Sequence, residues 1–587
     1  MRDSVPTPRM RIANSTSDSP STQRTAAGLP YDRNRANAVL VILTGMALMI
    51  MYVETMVIPS FGTFAQFFHL NLQQSSGTVA WILSAYLLVG TVAVPILGKL
   101  GDLYGKKKVL LVAMSVYAGA VMLAGFTPNL GTLLGVSLQN QVYLLIGARA
   151  LQGIGMGMLP LAFAMLPEVF PGPLVGRAQG IISSMFAAGA AIGLTGGGWI
   201  ATTFGWQSTF HSVVPVAVLL VVLAAYRVKE SPLHPVPSVD LPGVTSLGFG
   251  LATLMLGVSE GASWGWTSFT AVSWGPLAWG TPEFFLLALI GFVTFLLWEP
   301  RAKNPILRFA SLKPRNIWVS NVSAVLTGFL MFLTFTSTVI LAELPTMFHG
   351  LGVDGFTFGL MALPAALTML VAGGALGTGV TRAGPKPITL LGYVLSGLGA
   401  LGLVFWHSTT WELAAFMIPL LVGNVALMIS MTNIIALSVD RRELGVQTGM
   451  NQTFRNLGTA IAPVLTTSVL ASFMAQYPVQ VATPYGPRTV SVTAFGIEGF
   501  LVIFEILALL SGVGFVVTLL LRNYKFTADG AKTSQPGATP PLDDVAASPE
   551  AAGHAGDVLT GADAFDQPSA WSQRRDAAEG GAREARR

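Results

Sequence analysis

The 587-residue chain is 52% hydrophobic and only 10% charged, with a mean hydropathy of +0.63; this excludes a soluble globular protein and implies an integral membrane protein. Its net charge of +5 does not point to nucleic acid, because the basic residues are scattered between apolar runs and serve to orient helices. With no cysteine, disulfides, thiol chemistry and thiolate metal sites are excluded.

Residues 1–35 are rich in Ser, Thr, Pro and Arg and lack the apolar core of a signal peptide, so a disordered cytoplasmic tail followed by an uncleaved helix is expected. Runs of about 20 apolar residues, the length that crosses a bilayer, then number fourteen, at roughly 37–59, 78–98, 107–126, 141–166, 177–200, 209–227, 242–260, 282–299, 318–342, 356–380, 387–406, 412–437, 447–472 and 497–521. With the amino terminus inside, the loop Lys and Arg residues from Arg33 and Lys99 to Arg522 and Lys525 fall on one side, and Arg488 alone falls on the other. That asymmetry predicts both termini in the cytoplasm and a multi-pass protein of the plasma membrane.

Between the second and third runs, Gly98-Lys-Leu-Gly-Asp102-Leu-Tyr-Gly105-Lys106-Lys107-Lys108 reads as a polar turn at the membrane surface. Asp102, an acid among lysines, is placed to form a charge pair that exists in one packing of the helices and breaks in another. Four tryptophans, Trp264, Trp266, Trp274 and Trp279, lie between helices seven and eight, as in an interfacial belt. The histidines of the outer loops show no recurring spacing, and no metal site is expected. The last outer loop, 473–496, carries two β-prone runs around a Pro/Gly turn, and the hairpin they predict is expected to cover the outer mouth of a central pathway. Beyond 526 the composition is again that of a disordered tail.

The chain repeats itself. Gly98 and Gly105 align with Gly377 and Gly384, and Gly176, Gly180, Gly189, Ala191 and Ile192 align without a gap on Gly445, Gly449, Gly458, Ala460 and Ile461. The expected organisation is an amino-terminal six-helix bundle (36–227), two inserted helices with their loops (228–317), a carboxy-terminal six-helix bundle (318–525) and a tail (526–587).

With loop, repeat and count together, the chain resembles the major facilitator superfamily, and within it the fourteen-helix drug:proton antiporter branch, over roughly residues 36–525. The Gly98–Lys108 stretch is similar to the family's loop between helices two and three; the resemblance implies a conformational-switch role for Gly98, Asp102, Gly105, Lys106 and Lys107. Arg149-Ala-Leu-Gln152-Gly-Ile-Gly155 resembles the helix-four motif whose arginine is associated with proton coupling. Gly189, Gly193, Gly197 and Gly198 follow the antiport-type glycine pattern of helix five, with Leu194 where that pattern has proline; the aligned residue of the sister helix is Pro463. Helix one also departs from the branch, because Glu54 directly precedes Thr55 where the branch carries an Asp two residues before a Thr.

Ionisable groups inside apolar spans are costly and therefore functional candidates: here Glu54, Arg149, Arg455 and Glu505. At 1.5 Å per residue, Glu54 and Arg149 both lie about 24–26 Å from the cytoplasmic side, a shared depth that suggests one network, with Glu54 exchanging a proton and Arg149 tuning it. Arg455, about 12 Å deep, is as well read as a residue snorkelling inward as a functional one. Glu505, about 24 Å deep, is either an acidic substrate or proton site or a carboxyl kept protonated in an apolar setting. Gln152 joins Arg455 and Glu505 as a candidate for the substrate or proton path.

The function expected is proton-coupled export of hydrophobic or amphipathic compounds, cationic ones among them, by alternating access, with the proton gradient in place of any cofactor. An exporter dedicated to one endogenous metabolite, siderophore or antibiotic is the alternative. No cluster of nucleophiles, acid/base residues or metal ligands suggests an enzyme, and no Gly-x-x-x-x-Gly-Lys-Ser/Thr stretch suggests ATP hydrolysis. The expected partners are a small-molecule substrate, protons and lipid, with no nucleic acid, and the expected state is a monomer.

Overall fold

The computed structural model describes residues 24–25, 30–70, 72–230, 240–269, 272–274, 277–305, 309–439, 444–483, 486–522, 524–526 and 532–534. Most of the two expected tails, 1–35 and 526–587, lies outside these residues, as does the unit Ser534–Arg587 beyond its first residue. The elements below belong to the unit Met1–Thr533.

An apolar medium offers backbone amides no partner, so the runs fold as helices that satisfy their own N–H and C=O groups. In chain order they are α1 (Arg33–Thr55), α2 (Leu72–Tyr104), α3 (Lys106–Gly125), α4 (Gln141–Gly153 and Met158–Val169, joined by a 3-10 turn at Ile154–Gly157), α5 (Gly172–Phe204) and α6 (Trp206–Arg227). The inserted pair is α7 (Leu241–Trp264) and α8 (Thr281–Trp298). Then come α9 (Arg315–Glu343), α10 (Gly355–Ala383), α11 (Pro385–Phe405), α12 (Thr410–Ser438), α13 (Leu444–Ser472) and α14 (Ile497–Leu519). Twelve helical stretches among the described residues are long and apolar enough to cross a membrane. α5 and α13 form where helices five and thirteen are expected but are not among those twelve. In α13 the reason is visible: Gln447, Asn451, Gln452, Arg455 and Asn456 give it a polar stripe.

The expected polar turn at Gly98–Lys108 is corrected. α2 runs on through Asp102 to Tyr104, α3 starts at Lys106, and the turn is the single residue Gly105, at φ 98°. That value lies in the region that favours glycine. Its counterpart Gly384, at φ 88°, joins α10 to α11 in the same way. The side chain of Asp102, and with it the expected switching charge pair, lies outside the described residues.

The repeat is carried into packing. α1 packs on α5 as α9 packs on α13, α2 on α4 as α10 on α12, and α3 on α6 as α11 on α14. Lys107 and its aligned partner Lys386 act alike: Lys107 Nζ donates to Ala225 O at the end of α6 (2.7 Å), and Lys386 Nζ donates to Leu519 O (2.9 Å) and Leu521 O (2.8 Å) at the end of α14. The two halves meet through α2 against α13 and α5 against α10, a pair of contacts that the repeat exchanges. α7 lies over the α2–α13 seam, with Val244, Leu247 and Leu251 packed with Met450 and Leu457 on one side and Leu88, Val92 and Ile96 on the other; α8 packs on α7.

We call the face of the bundle at which α1 starts the near face and the opposite one the far face. At the near face, Lys106 Nζ lies 2.5 Å from Glu168 Oε1 at the end of α4, and the backbone N–H of Lys107 donates to Glu230 Oε1 at 3.0 Å. Lys99 donates to the carbonyls of Asn304 and Pro305 after α8. Both members of the Lys106–Glu168 pair are 12% exposed, so a double-mutant cycle with alanine at each, read by thermal unfolding, is expected to give a coupling of about 1–2 kcal/mol, above that of an exposed pair.

The last long loop forms the expected antiparallel hairpin, β3 (Met474–Thr483) with β4 (Gly486–Phe495), and a short one not foreseen, β1 (Val272–Trp274) with β2 (Leu277–Trp279), stands between α7 and α8. β3 rests on the turn after α9, where Tyr477 and Phe348 have ring centroids 5.3 Å apart, while β4 reaches α2. The hairpin thus touches both halves.

Candidate functional site

Arg149 is fully buried on α4, one turn before the break. Gly153, Gly155 and Gly157 make that break close-packed: an added Cβ would sit 2.3 Å from Tyr86 O, 2.1 Å from the Tyr117 ring and 2.5 Å from Leu97, respectively. Only glycine lets α2 and α3 come so near. Two tyrosines, one from each of these helices, are thereby drawn up to the arginine. Its Nε donates to Ile82 O at 3.0 Å, its Nη1 donates to Gln152 Oε1, and its Cζ lies 4.4 Å above the Tyr86 ring, a cation–π contact. Nη2 and the hydroxyls of Tyr86 and Tyr117 are buried and have no hydrogen-bond partner among the described residues.

Glu54, at the far end of α1, is 4% exposed, and its Oε2 is likewise buried without a partner. It lies within electrostatic reach of Arg149, as expected, and also of Arg455 from the opposite half. Among the described residues no Lys or Arg nitrogen comes within 4.0 Å of its oxygens, so it is not locked in an ion pair. A buried carboxyl flanked but not clamped by cations is a group that can take up and release a proton as its surroundings shift.

Of the two readings of Arg455, the structure favours the inward-facing one over snorkelling. The side chain points across the interior, Nη2 donating to Gln452 Oε1 at 2.7 Å and Nη1 lying 3.2 Å from Met428 Sδ on α12. Its peptide is pinned there, because Gly328 of α9 packs so closely that an added Cβ would sit 2.2 Å from Arg455 O. Of the two readings of Glu505, its position favours the outlying carboxyl in an apolar setting over a site on the path. The residue is exposed on α14, on the side of Leu509, Val513 and Val516, whereas Phe500, Ile503, Phe504, Leu507 and Ser511 form the buried side. It does not join the central cluster. Gln152 does, through Arg149.

The glycine pattern of α5 has a direct steric reading. A Cβ at Gly189 would sit 2.4 Å from Leu48 O, at Gly193 2.1 Å from Thr55 Oγ1, and at Gly197 2.5 Å from Met56 Cβ, so these three seat α1. Gly198 faces the other half, where an added Cβ would sit 2.2 Å from Gly355 O on α10. Leu194, in place of proline, is 1% exposed and leaves α5 unbroken, while Pro463 sits inside α13.

One functional candidate escapes the sequence. Glu343, the last residue of α9, reaches across the far face, where its Oε2 accepts the Gly62 N–H at 2.8 Å and its Oε1 is buried without a partner among the described residues. Beside it Gly355 meets Pro59, and Thr195 Oγ1 donates to Gly359 O at 3.1 Å, so the halves are closed at this end. Asp354 caps α10; hydrogen bonds from Thr357 hold its carboxyl below the usual carboxylate range, so the cap is intact at neutral pH and weakens as pH falls through that lowered value. Replacing Glu343 by Leu removes this hydrogen bond and leaves the Gly62 N–H without its acceptor, a cost of about 1–3 kcal/mol that exists only with the far face closed. Because the chain has no native cysteine, Ser60→Cys, a fully buried position beside this contact, reports opening by its maleimide reaction. Labelling is expected to be about tenfold faster in the Glu343→Leu background.

A family model described as the Major Facilitator Superfamily matches residues 43–463. The multidrug transporter protein MdtP of Bacillus subtilis (strain 168) is 29% identical over 385 residues, 65% of this chain and 66% of that one, so the chain spans just under two thirds of its length. The multidrug efflux pump LfrA of Mycolicibacterium smegmatis is 28% identical over 441 residues, 73% and 80% of the two chains. The tetracenomycin C resistance and export protein of Streptomyces glaucescens is 27% identical over 420 residues, 68% and 70% of the two. Among solved structures, the partially occluded inward-open form of the xylose transporter XylE from E. coli superposes with a TM-score of 0.54 at 12% identity, covering 83% of this chain and 97% of that one, a likeness of fold. The chain is therefore a membrane transporter, not an enzyme, and belongs to the major facilitator superfamily, among relatives of the multidrug-efflux type.

Proposed function

We propose that this protein exports hydrophobic or amphipathic compounds in exchange for protons, by alternating access between the halves 36–227 and 318–525, with 228–317 as the insertion. The near face is the cytoplasmic one, both termini are cytoplasmic, the membrane is the plasma membrane, and the working unit is a monomer driven by the proton gradient without a cofactor. The observation that carries this reading is Glu54: a buried carboxyl within electrostatic reach of one guanidinium from each half, with Oε2 unpartnered among the described residues. Glu54 holds the proton, and Arg149, fixed by Ile82, Gln152 and Tyr86, sets the field in which it does so. Gly189, Gly193, Gly197 and Gly198 serve as the surfaces on which α1 and α10 close, and Gly98, Asp102, Gly105, Lys106 and Lys107 organise the opposite end. The names of two relatives, MdtP and LfrA, support a broad range of compounds. That of the tetracenomycin C exporter supports the second reading, a single dedicated product.

The test is transport by the purified protein in vesicles of known orientation under an imposed proton gradient, followed with a panel of fluorescent amphipathic dyes. Gradient-dependent movement of several of them is expected. A folded protein that moves none overturns the broad-range reading in favour of a dedicated one, and movement indifferent to the gradient overturns proton coupling.

A further inference from the structure

Three ionisable side chains are linked electrostatically in the interior: Glu54 lies within reach of Arg149 from its own half and of Arg455 from the other. Glu505, the other acid expected there, is on the exposed side of α14, and Glu343 is held at the far face by Gly62. Among the described residues this cluster sets two guanidiniums against one carboxyl, a net positive charge that grows when Glu54 takes a proton. A cation brought into it meets repulsion in a medium that screens poorly.

Of the buried amides of this half, Asn424 on α12 and Gln447 on α13 leave an oxygen without a partner among the described residues, whereas the two chains that run from Arg455 and from Asn451 end in donors, an orientation fixed by the logic of donors and acceptors. A guanidinium only donates, so Gln452 must turn its oxygen to Arg455 Nη2 (2.7 Å), leaving its nitrogen to donate to Asn456 Oδ1 (2.9 Å). The free end of that chain is then Asn456 Nδ2. A second chain ends alike. Asn451 Nδ2 donates to the Ser320 carbonyl (3.1 Å), which only accepts, and to Asn321 Oδ1 (3.0 Å), leaving Asn321 Nδ2. Both terminal amides are buried, 1% exposed at Asn456 and 3% at Asn321, and both nitrogens have no partner among the described residues. Buried amide N–H groups without acceptors are costly, so each calls for an acceptor atom from outside the chain.

We propose that the carboxy-terminal half binds its cargo through acceptor oxygens, with Arg455, Asn456 and Asn321 as the contacts, so that the preferred substrates are amphipathic compounds bearing a carboxylate, a phenolate or several carbonyls, and not lipophilic cations. This rests on the reading of the protein as an exporter of amphipathic compounds and narrows it.

The experiment measures equilibrium binding, with no gradient imposed, by the purified full-length protein in lipid nanodiscs. Its probes are two xanthene dyes of similar size and opposite charge, fluorescein and rhodamine 6G. The protein is expected to bind fluorescein about tenfold or more tighter than rhodamine 6G. Arg455→Gln is expected to abolish that preference and Arg455→Lys to keep part of it, while Asn456→Leu weakens fluorescein severalfold; unfolding temperature verifies that each variant is folded. Tighter binding of rhodamine 6G, or a preference for fluorescein that Arg455→Gln leaves intact, overturns this inference and leaves the exporter standing. Binding of neither dye by the folded wild-type protein overturns this inference together with the broad-range reading, and leaves the exporter of a single dedicated product.

Discussion

Glu54→Gln is expected to leave a folded protein that still binds its substrate and no longer accumulates it at the expense of a proton gradient. The substitution keeps the shape of the side chain and removes its titration. In a water-exposed site that would matter little; here the group is 4% exposed, has an unpartnered oxygen, and feels one guanidinium from each half. A proton that arrives at Glu54 changes the balance of charge that both halves experience, and that is the differential interaction through which a bound ion shifts a conformational equilibrium. Glutamine freezes the balance in its neutral setting. Uphill accumulation in oriented vesicles should fall to that of vesicles without protein, whereas exchange of labelled for unlabelled substrate at equal concentrations, which needs no net proton movement, should persist. Full gradient-driven accumulation by Glu54→Gln would remove Glu54 from the coupling role and return attention to Glu343, the other buried acid that touches both halves.

The fold was legible because its grammar is coarse. Apolar runs separated by charge gave the helices, and glycines at fixed spacing gave the repeat, since backbone contacts of the kind Gly189 makes with Leu48 and Gly458 makes with Val325 tolerate no side chain. The site was legible only in part. Glu54 and Arg149 stood out because a charge in an apolar run is conspicuous. Tyr86 and Tyr117 did not, because a tyrosine in such a run is ordinary, and what brings these two to the arginine is a break in α4 that depends on packing rather than on local preference. Two readings each stayed open for Arg455 and Glu505 for one reason: depth along a helix says nothing about which way a residue faces. The small and bulky residues of α14 that pack inward lie opposite Glu505, whereas α13, wedged between α2 and α9, turns Arg455 inside. Glu343 was lost at a helix boundary, one residue past the end of its run, where an acid looks like the start of a loop.

The second large effect is expected from Gly355→Leu, which should hold the far face open and stop transport while leaving each half folded. A Cβ at this position would sit 2.0 Å from the carbonyl oxygen of Pro59, and one added at the neighbouring Gly198 would sit 2.2 Å from the Gly355 carbonyl oxygen. The obstacles are backbone atoms of the opposite half, which cannot rotate aside as a side chain can. Within a single bundle such an insertion would be absorbed as strain of about 1–3 kcal/mol; between two bodies that move relative to each other it is relieved by parting them. The same 1–3 kcal/mol then becomes a bias of about ten- to a hundredfold toward the state in which the far ends are apart. Labelling of Ser60→Cys by a membrane-impermeant maleimide should rise by that factor, and substrate movement should fall because the closed far face is one of the two states that alternating access requires. Gly374, where an added Cβ would meet no atom within 4 Å, supplies the control: Gly374→Leu should change neither labelling nor transport. If Gly355→Leu labels at the wild-type rate and still transports, the contact of α10 with the Pro59 carbonyl is not the far-side closure, and the coupling of proton to movement must be sought in the α2–α13 seam beneath α7.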